Sequence, residues 1–161
     1  MPLIRNGELV ADPWRDLVDD EALPADGPVH VSFGRWLKER DRLLQRAAPV
    51  GVRVANSDLV DELAADTDRL ALVVLEFPKF NDGRAYSQAR ILRERLQYKG
   101  ELRARGRVLR DQLLFMHRCG FDAYEVQASD APAAWRAALA EYTVFYQPTA
   151  DRRPAILRRR A

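Results

Sequence analysis

From Val29 onward, short apolar runs alternate with amphipathic stretches of about a dozen residues, the spacing of strands and crossover helices. Val29–Phe33 predicts a strand, followed by a helix over about 34–47 with Trp36, Leu37, Leu43 and Leu44 directed inward. Pro49 and Gly51 break that helix, and Val50–Ala55 reads as the next strand. Asn56-Ser57-Asp58 then supplies an N-cap for a short helix around 59–66. Leu70–Phe77 is apolar except for Glu76, which predicts a central strand covered on both faces. Ala85, Ala89, Leu92 and Leu96 form one stripe of the helix after it. Glu101–Arg105 predicts a further strand and 107–118 a helix, closed by Cys119-Gly120-Phe121, a glycine C-cap with an apolar residue beyond it. A last strand falls near 123–126, and Asp130-Ala131-Pro132 opens a helix running towards Tyr146.

Ahead of this repeat, Ile4 and Leu9 flank Asn6-Gly7, which predicts a hairpin because both turn positions tolerate positive φ. Residues 12–28, with Pro13, Pro24, Gly27, Pro28 and the acids Asp19, Asp20 and Glu21, predict an arm or loop. The class is α/β: a small, mainly parallel sheet of about five strands with right-handed crossover helices, plus the N-terminal hairpin. An open three-layer sheet and half of a β/α barrel both satisfy this pattern. Residues 1–150 are expected to form one domain, 1–28 being hairpin and arm, with a basic tail at 151–161.

Composition narrows the class of function. The longest unbroken apolar run, Leu70–Leu75, is far short of the roughly 20 residues that span a bilayer, so no membrane partner is expected. Glu8 and Asp12 fall where a secretory signal needs an apolar core, and Cys119 is the single cysteine. A cytoplasmic protein without a disulfide or a cysteine metal centre is the expectation. Twenty-six basic against 24 acidic residues give no field for nucleic acid, and Arg152, Arg153, Arg158, Arg159 and Arg160 read as a solvated tail.

In this class the chemistry lies where strand C-terminal ends meet helix N-termini. The loop Phe77–Ser87 falls there: Lys79, Arg84, the Ser87 hydroxyl and helix N–H groups can form a pocket for a small oxyanion. Asp82 caps the helix and competes with that anion, while Gly83 permits the turn. Strand alternation places Glu101, Arg103 and Arg105 on one face, where Arg103 and Arg105 can reach the same pocket. Arg110, Asp111 and Gln112 stand in a second loop. Glu76, at the end of a buried strand, is the candidate base, because burial raises a carboxyl pKa. His30, His117 and Cys119 read as structural, and no metal set is present.

Five strings of residues carry a resemblance: Phe77-Pro78-Lys79-Phe80-Asn81-Asp82-Gly83-Arg84, Tyr98-Lys99-Gly100-Glu101-Leu102-Arg103, Val108-Leu109-Arg110-Asp111-Gln112-Leu113, Arg118-Cys119-Gly120-Phe121-Asp122 and Asp12-Pro13-Trp14. Together they resemble a bacterial family of unknown function whose members are often labelled oxidoreductases of sulfite reduction and are encoded beside assimilatory sulfite reductase. Asn81 stands where the family leads one to expect threonine, and Arg107 where it leads one to expect aspartate. The resemblance implies cytoplasmic sulfate assimilation, with sulfite or sulfate as the oxyanion and sulfite reductase as a partner. Sulfite reduction is a multi-electron reaction, and one cysteine with no nucleotide or haem motif gives this chain no carrier for it. Three roles follow: an accessory of sulfite reductase that binds the oxyanion or docks on the enzyme, a cofactor-dependent oxidoreductase with flavin as one candidate cofactor, and a structural subunit. For an oxyanion pocket, Arg84→Ala is expected to weaken sulfite binding about tenfold or more.

Overall fold

The computed structural model describes residues 2–126 and 131–150. The expected helix cap at Asp130 and the basic tail lie outside the described residues. The chain runs β1 (Leu3–Arg5), β2 (Glu8–Val10), β3 (Arg15–Asp16), β4 (Val29–Ser32), α1 (Phe33–Leu44), β5 (Val50–Val54), a 3-10 turn (Val60–Asp66), β6 (Leu72–Phe77), α2 (Arg84–Arg90) continuing as a π-helical turn (Ile91–Arg95), β7 (Glu101–Gly106), a 3-10 turn (Arg110–Gln112), α3 (Leu113–Arg118), β8 (Ala123–Glu125) and α4 (Ala131–Ala140).

All eight strands belong to one sheet in the order β2-β1-β8-β7-β6-β5-β4-β3. Strands β3 to β8 run parallel in succession, and β1 pairs antiparallel with both β2 and β8. The expectation of a small, mainly parallel sheet of about five strands is corrected to an eight-stranded mixed sheet. Two features make the difference. The Asn6-Gly7 hairpin, with φ of 52° and 83° at its turn, adds to the edge at β8. The segment read as an arm contributes the two-residue β3 to the opposite edge.

The same two features decide the curvature. Only Ala11–Trp14 link β2 to β3, so the two edges of the sheet stand at most about 18 Å apart. A flat sheet of this many strands would separate them by about 34 Å. The sheet therefore curls into a half-barrel, and the short link closes it as a strap. Successive parallel neighbours with right-handed crossovers place every crossover on the outer face. There Val31, Val52, Val54, Val73, Leu75, Phe77 and Leu102 pack with Trp36 and Leu43 of α1, Ala85 and Ala89 of α2 and Met116 of α3.

Local chemistry sets several element ends. Ser32 caps α1 by accepting from the Arg35 N–H at 3.1 Å, and the helix stops at Leu44, leaving Leu37 exposed instead of inward. The segment at 59–66 tightens to a 3-10 turn without a side-chain cap, because the Asp58 carboxylate accepts from the Ala55 N–H instead. Gly120, at φ 100°, ends α3 in the left-handed conformation, with the Phe121 N–H returning to the Met116 carbonyl. Among the described residues no helix is long and apolar enough to cross a membrane.

Candidate functional site

The inner face of the half-barrel is charged. Register aligns Ser32 with Arg53, Arg53 with Val74, Val74 with Arg103, and Glu76 with Arg105, so side chains of successive strands point to the same side. Leu72 and Val74 floor this face; Asp16, Arg53, Glu76, Arg105 and Glu125 stand towards the strand C-terminal ends, and His30, in register with Gly51 and so with Leu72, lies deeper beside Asp16. Such positions at strand C-terminal ends hold the chemistry of β/α barrels.

Arg103 anchors the cluster. Its side chain is fully buried and donates to Asp12 at 2.7 and 3.1 Å and to Glu101 at 2.9 and 3.0 Å, with Glu125 at 3.5 Å. Arg5 closes on the other Glu101 oxygen at 2.6 Å. Burial works against the charged guanidinium of Arg103, yet the bonds to Asp12 and Glu101 raise its pKa further. Burial likewise opposes ionisation of Asp12, but hydrogen bonds from Arg103 and the Trp14 N–H hold its pKa below the usual value. Arg53 and Arg105 grip the two oxygens of Asp16, Arg105 at 2.6 Å, so this acid of β3 bridges β5 and β7.

Two groups are driven towards neutrality. Burial pushes His30 down to about 4, aided by Arg105, Arg103 and Arg53 and opposed by Asp16, whose Oδ1 lies 3.4 Å from His30 Nδ1. The imidazole is uncharged at neutral pH. Burial raises the Glu125 carboxyl, in spite of Arg105 and Arg103. Glu76, the candidate base expected to be enclosed by its strand, is instead the most exposed of the cluster's carboxylates, with Arg53 Nε at 3.4 Å. Arg5, Arg53, Arg103 and Arg105 face Asp12, Asp16, Glu76, Glu101 and Glu125, so carboxylates outnumber guanidiniums by one and the face has no surplus for an anion.

The β6–α2 loop is separate from this cluster. Gly83, not Asp82, occupies the cap position of α2, and the Asp82 carboxylate accepts from the Arg84 N–H at 3.3 Å and from its guanidinium at 2.7 and 3.0 Å. Arg84 holds the Asp82 carboxyl down at about 2, and Asn56 Nδ2 donates to it at 2.5 Å. An oxyanion at Arg84 must displace this carboxylate. Arg84, Ser87 and Gln88 line a groove of about 300 Å³ with Asn56 and Leu59, while Lys79 is exposed on the preceding turn. Arg103 and Arg105 do not share a partner with Arg84 among the described residues; the strap and Glu125 take them instead.

The second loop does meet the first. The Gln112 side-chain N–H donates to the Phe80 carbonyl at 2.9 Å, Arg110 pairs with Glu141 at 3.0 Å, and Asp111 is exposed. Sequence reasoning missed Arg5, Asp12, Asp16, His30, Arg53 and Glu125. One signal was present: Arg53 and Glu76 each interrupt an otherwise apolar strand near its C-terminal end. Among the described residues no group of three or more His, Cys, Asp or Glu is placed to hold a metal, and the Cys119 thiol is buried in the core.

Comparison with known proteins gives no match among curated proteins and none among solved structures. A family model matches residues 51–157, which takes in both loops and the inner-face residues of β5 to β8 but not the strap. The chain therefore belongs to the family described as "Bacterial protein of unknown function (DUF934)".

Proposed function

We propose that the protein is a cytoplasmic accessory of assimilatory sulfite reduction that acts by docking on sulfite reductase, in preference to holding sulfite on its own arginines. The pathway comes from the resemblance of its loop strings to proteins encoded beside that enzyme. The observation that supports docking over capture is the state of the candidate anion-binding arginines: Arg84 is held by Asp82, Arg103 by Asp12 and Glu101, and Arg105 by Asp16 and Glu125, which leaves Lys79 as the one open cation of the expected pocket among the described residues. An anion gains little from a guanidinium whose forks are already satisfied by carboxylates. A second reading, an oxidoreductase with a bound cofactor, is favoured by the convergence of Asp16, Arg53, Glu76, Arg105 and Glu125 at the strand ends, with His30 beneath them.

The deciding experiment measures sulfite-dependent oxidation of the electron donor by purified assimilatory sulfite reductase, with and without this protein in stoichiometric amount. A higher rate or a lower sulfite requirement supports the accessory role. An unchanged rate and unchanged sulfite dependence refute it, and the absorption spectrum of the purified protein then tests the cofactor reading.

A further inference from the structure

We infer that the docking face is the end of the molecule where the β6–α2 and β7–α3 loops meet, and that it takes a protein surface with an apolar centre and an acidic rim. This rests on the reading that the chain works bound to sulfite reductase, and it adds which residues make the contact and what the partner presents to them.

Single exposed apolar residues are ordinary on any protein surface. Here three large ones come together from separate segments: Phe80 is 66% exposed, Phe115 55% and Leu109 42%. Gln112 ties them into one patch. Its side chain donates to the Phe80 carbonyl, its backbone N–H to the Leu109 carbonyl at 3.1 Å, and Phe115 lies one helical turn beyond it. The Phe115 ring stacks at 4.7 Å on Tyr86, which in turn meets Phe77 of the core edge-on at 5.1 Å. The Phe115 ring is thus the outer end of a series of ring contacts rooted in β6. Aromatic side chains held in place before association lose little freedom on binding and are the residues that dominate interface energies.

The rim fixes the sign of the partner. Lys79 and Arg107 flank the patch without an ion-pair contact among the described residues, although Lys79 helps to hold the Asp82 carboxyl down, and the paired Arg84 and Arg110 remain largely exposed beside them; against the exposed Asp111 this leaves a surplus of one cation. Unpaired cations around an apolar centre steer and orient an acidic surface, at a rate that falls with salt.

The test is the affinity of the full chain for purified assimilatory sulfite reductase, by isothermal titration, for the wild type, Phe80→Ser, Phe115→Ser, the pair Lys79→Glu with Arg107→Glu, and Lys38→Glu on exposed α1 as a control. Each Phe variant should weaken binding about tenfold or more, the reversed pair should weaken it and flatten its salt dependence, and the control should match the wild type. Urea midpoints of the Phe80, Lys79 and Arg107 variants should stay within error of the wild type, while Phe115→Ser loses its ring contact with Tyr86, shows a lower midpoint and is titrated at a temperature where it is fully folded. Wild-type binding that all face variants retain within twofold overturns the face and leaves the accessory role standing. Absence of wild-type binding overturns both. Sedimentation that shows a dimer abolished by Phe80→Ser assigns the face to a second copy of this chain and overturns the acidic partner.

Discussion

Replacing Arg103 by methionine keeps most of the side-chain volume and removes the one cation at the centre of the inner face. The guanidinium is fully buried and serves Asp12, Glu101 and Glu125, the last two themselves largely shielded from water. Removing it leaves Asp12 without its arginine and Glu101 and Glu125 with only Arg5 and Arg105, and breaking a buried ion network costs about 3–5 kcal/mol. Arg90→Met provides the contrast, because its pair with Glu94 is an exposed i,i+4 contact worth about 0.3–0.5 kcal/mol. The loss for Arg103→Met must also depend on pH. Glu125 already has a raised pKa, and without Arg103 it rises further, so the folded variant takes up a proton that the folded wild type does not. The difference in stability between variant and wild type therefore shrinks as pH falls from 7 towards about 5. Urea unfolding followed by the fluorescence of buried Trp36 measures both quantities. A loss below about 1 kcal/mol at neutral pH, or an equal loss at both pH values, would refute the assignment of Arg103 as the keystone of this network.

Three further outcomes are expected. His30 has a folded pKa of about 4 against an ordinary 6.5, so between those values the unfolded chain binds the extra proton and wild-type stability climbs with pH, by up to about 3 kcal/mol, then levels off; His30→Gln should remove that climb in urea midpoints, and parallel profiles would contradict it. Gly51→Ala should cost about 1–3 kcal/mol, because a Cβ there meets the Leu72 Cβ at 2.8 Å and the His30 Cβ at 3.2 Å, whereas Gly34→Ala in α1 meets nothing within 4 Å and should gain a few tenths; thermal unfolding with shifts of the same sign would count against this packing. Cys119, 1% exposed in the core, should react with a thiol reagent no faster than the protein opens, so rapid stoichiometric labelling of the native chain would place it wrongly.

Much of the candidate site was legible in part. Alternation placed Glu101, Arg103 and Arg105 on one face of β7, as the register shows. The same alternation could not say that this face is the inside of a curl, and so linked Arg103 and Arg105 with Arg84. The Asn6-Gly7 turn revealed the hairpin, but not that it would extend the sheet at β8, since an antiparallel edge joins by backbone hydrogen bonds that leave no trace in periodicity. Asp82 was read as the cap of α2 because Asp is a strong cap former; in the structure Arg84 draws its carboxylate aside and Gly83 takes the position.

The sequence by itself determined the alternation of strands and helices, the hairpin turn and the glycine end of α3, because each depends on residues within one or two turns of one another. Only the tertiary structure decided the eight-stranded mixed sheet, its curl and the charged face inside it. That face depends on contacts such as Arg103 with Asp12 and Arg105 with Asp16, 91 and 89 residues apart. The physical reason is the four-residue strap: too short to cross a flat sheet, it bends the two edges together, carries Asp12 to the buried Arg103 and brings Asp16 of β3 to Arg105.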